Sequence, residues 1–281
     1  MDKEKVIELL NKDLQDEHGA IIQYLSHAYG MGEGEMACEI EAMARDEMRH
    51  LDWLAETIVE LGGAPSLERG TMKMGGTSVH DWMVNNVSLE DGAIAQYQEQ
   101  IEAIDDPKIK RLLKRILSDE KAHRDSFEHF VEKSHRQAME DVRGTKSDDT
   151  IRTLNWGIEH EYTVILQYLL QRYLTPNEEA AEELEDQAIN EMQHLGWLAE
   201  KVIDMGGTPV IEHIGVDQST KTADMLSADI KIEQEVADAY DQAASKATDT
   251  KLKKLFLRLR DNEIYHAEVF GDLLEEEKKS D

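Results

Sequence analysis

Leu, Ile and Ala are interspersed with Glu, Lys and Gln along stretches of 25 or more residues from which Gly and Pro are nearly absent. That composition favours long helices over strands. Eight helices are expected, over residues 2–29, 35–62, 79–104 and 107–138, then 149–173, 177–205, 221–247 and 249–277. The four prolines punctuate them: Pro107 and Pro176 read as first-turn prolines behind a capping residue, and Pro65 and Pro209 each close a Gly-Gly-x-Pro stop. About 15 residues rich in Gly, Ser, Thr and Met join the second helix to the third, enough for a crossover along a bundle. The expected fold class is all-α.

The pattern then repeats. Residues 44–65, ARDEMRHLDWLAETIVELGGAP, return as AINEMQHLGWLAEKVIDMGGTP at 188–209, an offset of 144. Upstream, Asn11, Glu17, Ile21, Gln23, Tyr24, Leu25 and Tyr29 match Asn155, Glu161, Ile165, Gln167, Tyr168, Leu169 and Tyr173. Downstream the offset is 143 and pairs Glu90, Tyr97, Glu120 and His123 with Glu233, Tyr240, Glu263 and His266. Repetition at this length marks a duplicated domain. The expected domains are residues 1–139 and 150–281, each of four helices, with the polar segment 140–149 as linker.

Inside the repeat lie four Glu-x-x-His pairs: Glu47/His50, Glu120/His123, Glu191/His194 and Glu263/His266. Residues three apart project from one helix face, so each pair can offer a carboxylate and an imidazole to one metal. Glu17, Glu90, Glu161 and Glu233 are each followed seven residues later by a tyrosine, namely Tyr24, Tyr97, Tyr168 and Tyr240. Two turns apart, each Glu shares a face with its Tyr. Every copy therefore supplies four carboxylates and two imidazoles, and such a set converging inside a four-helix bundle is a carboxylate-bridged dinuclear site. Hard oxygen and imidazole ligands suit iron or manganese. Solvated charges have no reason to keep register. The unrepeated Glu132/His135 pair, most other glutamates, and His18, His27, His80, His129, His160 and His213 are expected to be surface or core residues.

Composition narrows the partners. Sixty acidic against 31 basic residues give a net charge of −29, which repels nucleic-acid phosphate and anionic membranes and attracts cations. The lone Cys38 excludes a disulfide framework and a Cys-based zinc site. No run of 18 apolar residues and no apolar signal region occur, so the expected location is cytoplasmic.

Across nearly its whole length the chain resembles two fused ferritin-like domains, and Asp-Glu-Met-Arg-His at 46–50 is most similar to bacterioferritin. That resemblance implies that Glu47 with Glu120, and Glu191 with Glu263, bridge two irons, that Glu17, Glu90, Glu161 and Glu233 are terminal ligands, and that His50, His123, His194 and His266 each hold one iron. It further implies Tyr24 and Tyr168 as redox-active or hydrogen-bonding residues, and Met48 and Met192 as axial ligands to a haem b. The implied chemistry is oxidation of Fe(II) by dioxygen or hydrogen peroxide, in a homo-oligomer served by a redox partner. Three alternatives stand beside it: a rubrerythrin-like peroxidase without iron storage, a non-enzymatic iron buffer or haem-bearing electron carrier, and a dimanganese catalase. Tyr97 and Tyr240 resemble rubrerythrin, whereas Ala93 and Val236 stand where its extra glutamate is expected.

The copies differ one turn before each ligand histidine. Asp46 and Asp119 in the first become Asn190 and Asn262 in the second. A carboxylate beside an imidazole N–H makes the ring more basic. The second site is therefore expected to bind Fe(III) less tightly and to have the higher reduction potential.

Overall fold

The computed structural model of the protein describes residues 1–32, 34–134 and 148–280. Among the described residues the regular elements are eight α-helices: α1 (Lys3–Met31), α2 (Glu35–Glu60), α3 (Val79–Ala103), α4 (Pro107–Lys133), α5 (Asp148–Leu174), α6 (Glu178–Asp204), α7 (Thr222–Lys246) and α8 (Thr250–Ser280). The chain divides into two compact units, Met1–Arg143 and Gly144–Asp281. The segment 140–147 of the expected linker lies outside the described residues, as do positions 135–138 of the fourth expected helix and His135.

Within the first unit α1 packs on α2 and α3 on α4, while α1 also meets α3 and α2 meets α4. The second unit repeats this with α5 to α8. Helix starts are set by side chains that satisfy free backbone N–H groups. Asp106 accepts from Lys108 N (2.7 Å) and Ile109 N (3.1 Å), with Pro107 behind it in the first turn as expected. Pro176 does not play that part. Asn177 caps α6 by accepting from Ala180 N (3.1 Å), so Pro176 precedes the cap. The amide side chain of Asn177 gives the backbone a better acceptor, and Thr175 Oγ1 instead receives the N–H of Asn177 (3.3 Å).

Each Gly-Gly stop works through a left-handed glycine. Gly62 (φ +72°) and Gly206 (φ +74°) turn the chain out of α2 and α6, a conformation that Cβ-bearing residues rarely adopt. The crossovers then run back along the first helix of each unit. Asn11 donates to Ala64 O (3.1 Å) and accepts from Ser66 N (2.8 Å); Asn155 does the same with Thr208 O (3.2 Å) and Val210 N (2.9 Å). Further along, Gln23 Oε1 accepts from Lys73 N (2.5 Å) and Gln167 Oε1 from Asp217 N (2.8 Å). The recurring Asn and Gln residues thus clamp the crossovers, which lets α2 and α3 run the same way and face their glutamates inward.

Apolar layers flank the polar centre. In the first unit Tyr24, Ile40, Met83 and Phe127 are buried together; in the second, Tyr168, Leu184, Leu226 and Phe270 are. No helix among the described residues is long and apolar enough to cross a membrane.

Candidate metal centres

The four helices of each unit deliver their repeated glutamates and histidines to one buried point. In the first unit Glu17, Glu47, His50 and Glu120 form one group that could hold an ion, and Glu47, Glu90, Glu120 and His123 form a second. The second unit repeats this with Glu161, Glu191, His194 and Glu263, and with Glu191, Glu233, Glu263 and His266. Within each group the ligand atoms lie within 4.8 Å of one another, and every residue is buried. All twelve residues expected from the repeat are therefore brought together. Glu47 and Glu120, like Glu191 and Glu263, belong to both groups of their unit, the placement a bridging carboxylate requires.

The chemistry of the donor set fits cations. His50 Nδ1 lies 2.8 Å from Glu47 Oε2 and 3.0 Å from Glu120 Oε1, and His123 Nδ1 lies 2.9 Å from Glu47 Oε1. These approaches lack hydrogen-bond alignment, so both Glu47 oxygens, Glu120 Oε1 and both Nδ1 atoms are buried without a hydrogen-bond partner. Glu191 Oε1, Glu263 Oε1 and His266 Nδ1 share that condition in the second unit. Orphaned buried oxygens and ring nitrogens aimed at one point are costly unless a cation occupies it.

Protons partly offset that cost in the metal-free protein. Burial pushes the Glu47 and Glu120 carboxyls up to about 7 and about 8. It also raises Glu90, Glu161 and Glu233 well above the carboxylate range. Burial opposes charge on the imidazoles, but the surrounding carboxylates outweigh it, holding His123 and His266 at about 9 and raising His50 and His194 further. For Glu17 and Glu191 burial is outweighed in turn, by His50 and by His194, and both carboxyls are lowered. Cations entering these sites displace protons, so metal affinity rises with pH.

The tyrosines pair crosswise. Tyr24 Oη on α1 donates to Glu90 on α3, and Tyr97 Oη on α3 donates back to Glu17 on α1. Tyr168 with Glu233 and Tyr240 with Glu161 repeat the exchange. Burial and the adjacent carboxylates raise all four phenols well above 10, so they remain hydrogen-bond donors. Tyr97 and Tyr240 thus stand beside the expected Tyr24 and Tyr168. Their sequence signal was the same seven-residue step from a repeated Glu. Met48 and Met192 are half-buried, one position past Glu47 and Glu191, and belong to none of the ligand groups.

The outer partners of the histidines also cross between helices instead of lying one turn back on their own. His50 Nε2 faces Asp119 (3.4 Å) and His123 Nε2 faces Asp46 (3.3 Å). In the second unit the Asn262 amide lies 3.0 Å from His194 Nε2, while Asn190 bonds to Gln187 (3.2 Å). A carboxylate near each ring in the first unit is therefore replaced by one amide contact in the second.

One buried carboxyl lies beside the first site. Asp13 accepts from Gln96 (2.8 Å) and Gln100 (2.6 Å), and burial pushes it up to about 7 against those bonds. Its ordinary value is 3.8, so the folded chain keeps a proton that the unfolded chain releases, and stability falls as pH rises from about 4 through about 7. Asp13→Asn is expected to remove this loss. The stability of the variant relative to the parent should grow by on the order of 3 kcal/mol between about pH 4 and pH 8. Thermal unfolding of both proteins across that range checks it.

The sequence pattern of the ferritin-like domain matches residues 7–136 and again 151–280. The chain belongs to the ferritin-like family and carries that domain twice, each as a four-helix bundle. It is similar to bacterioferritin of Desulfovibrio desulfuricans, 35% identical over 134 residues that cover 46% of this chain and 75% of the relative. Bacterioferritin of Mycobacterium bovis is 30% identical over 134 residues, 45% of this chain and 84% of that relative. A crystal structure of the Desulfovibrio desulfuricans bacterioferritin, described as showing its diiron site in different catalytic states, shares 34% identity over 46% of this chain and 80% of that one, with a TM-score of 0.45.

Proposed function

We propose that the protein is a ferritin-type di-iron oxidoreductase, with one dinuclear site per unit, that oxidises Fe(II) with dioxygen or hydrogen peroxide in the cytoplasm. The observation that carries this reading is the pair of overlapping ligand groups in each unit, sharing two buried carboxylates. Glu17 and Glu90, with Glu161 and Glu233 in the second unit, would be terminal ligands; Glu47, Glu120, Glu191 and Glu263 would bridge. The four histidines would bind through Nδ1, the atom that faces the carboxylates. An iron pair so held supplies one-electron couples close enough to deliver two electrons to one oxidant.

The residues would hold the pair in a fixed frame. Tyr24 and Tyr97 restrain Glu90 and Glu17 through hydrogen bonds, which limits the carboxylates to few orientations. The net charge of −29 favours arrival of Fe(II) over that of anions. Bacterioferritin relatives support iron over manganese as the occupant.

The test is rapid mixing of Fe(II)-loaded full chain with dioxygen or with hydrogen peroxide. Fast oxidation that is lost in the Glu47→Ala, Glu191→Ala double variant supports the proposal. Tight iron binding with no oxidation above the variant's rate would leave a buffer instead of an enzyme. Preference for peroxide, with no iron retained beyond the sites, would single out the peroxidase form of the reading.

The Asp-to-Asn difference predicts unequal halves. Asp46→Asn combined with Asp119→Asn is expected to weaken ferric binding at the first site by roughly tenfold or more, raising its reduction potential towards that of the second. Redox titration of the parent should show two separated potentials that converge in the variant. Equal potentials in the parent contradict it.

A further inference from the structure

We propose that the two dinuclear sites differ in access: the first is open to small solutes through a window between α1 and α3, and the second is closed there by Val164 and Val236. This rests on the metal-site reading above. In the first unit a cavity of about 190 Å³ runs from exposed Ser88 and Gly92 to the buried carboxylates of Glu17, Glu90 and Glu120. Ala20 and Ala93 line it, and their single side-chain carbons leave the passage unfilled. Lys73, which also lines the cavity, donates to Ser88 O (2.9 Å) and Oγ (2.6 Å) at its outer end.

The repeat places Val164 where the first unit has Ala20, and Val236 where it has Ala93. Each adds two methyl groups, and both are buried, at 4% exposure. Glu235 replaces Gly92 at the rim and lies 3.8 Å from Lys231. A close-packed apolar wall passes an ion only when the helices open locally, which is slower than diffusion through a standing gap. The first site should therefore exchange its occupants quickly and the second slowly, whatever their relative affinities.

The test uses the metal-free full chain and Co(II), whose visible absorption reports entry into a carboxylate and imidazole site. Stopped-flow uptake is expected in two phases of equal amplitude, separated by roughly tenfold or more, which is about 1.4 kcal/mol of barrier. Ala93→Val should slow the fast phase alone, and Val164→Ala with Val236→Ala should speed the slow phase alone. A single phase, or two phases that neither variant moves, overturns the difference in access while leaving the metal sites standing. No Co(II) absorption at all overturns the metal-site reading and this inference with it.

Discussion

Replacing Glu47 with Ala is expected to lower the metal bound per chain from four ions, one for each ligand group, to two. Glu47 is fully buried and belongs to both groups of the first unit, so one truncation removes an oxygen donor from each. His50 and His123 both face it, at 2.8 and 2.9 Å, and would lose the anion that orients them. The second unit draws every ligand from α5 to α8 and should keep its pair. Stability separates this loss of binding from unfolding. Without metal, Glu47 is a carboxyl that burial pushes up to about 7, with neither oxygen hydrogen-bonded. Taking one partner out of a buried charged cluster, together with the volume of its side chain, destabilises the metal-free fold as well. The metal-free variant should thus melt somewhat lower than the metal-free parent, and only the parent gains stability at the first site when metal is added. Elemental analysis after desalting, paired with thermal unfolding, checks both halves of this expectation.

Much of the candidate site was legible because the chain carries its own comparison. Recurrence in register separated Glu47, Glu120, Glu191 and Glu263 from the many solvated glutamates, and the helical period placed each beside its histidine. What crosses between helices was less legible. The pairing of Tyr24 with Glu90 and of Tyr97 with Glu17 depends on how α1 and α3 are rotated against each other, which no single-helix spacing encodes. The same holds for Asp46, which serves His123 on α4 instead of His50 on its own helix. Asn11 and Gln23 recur as faithfully as the ligands, yet their role became clear only once the crossover lay along α1. At Pro176 local pattern misled, since a Thr-Pro step resembles a capped first turn until Asn177 is seen to hold the cap.

The second large effect concerns removal of metal. Each unit gathers four glutamates and two histidines, all buried, and seven of these twelve groups carry a buried atom without a hydrogen-bond partner. A cation that binds only the folded chain stabilises it by about 4 kcal/mol per site when its free concentration is a thousand times the dissociation constant. Stripping the metal with a chelator is therefore expected to lower the melting temperature markedly, and adding Fe(II) or Co(II) under anaerobic conditions to restore it. The gain should be larger near pH 8 than near pH 6, because protons held by Glu47, Glu120, His123 and His266 compete with metal at the lower pH. Calorimetric scans of stripped and reloaded protein at the two pH values measure both the size and the sign.

On the proposed reading each unit holds two irons as a coupled pair. The most direct measurement is electron paramagnetic resonance, with Mössbauer spectroscopy, on full chain loaded with four irons and then oxidised. Carboxylate bridges through Glu47 with Glu120, and Glu191 with Glu263, predict ferric ions coupled to a diamagnetic ground state, hence a silent resonance spectrum and quadrupole doublets without magnetic splitting. The signal of isolated high-spin ferric iron, in proportion to the metal bound, would mean that the irons are held singly and not as bridged pairs.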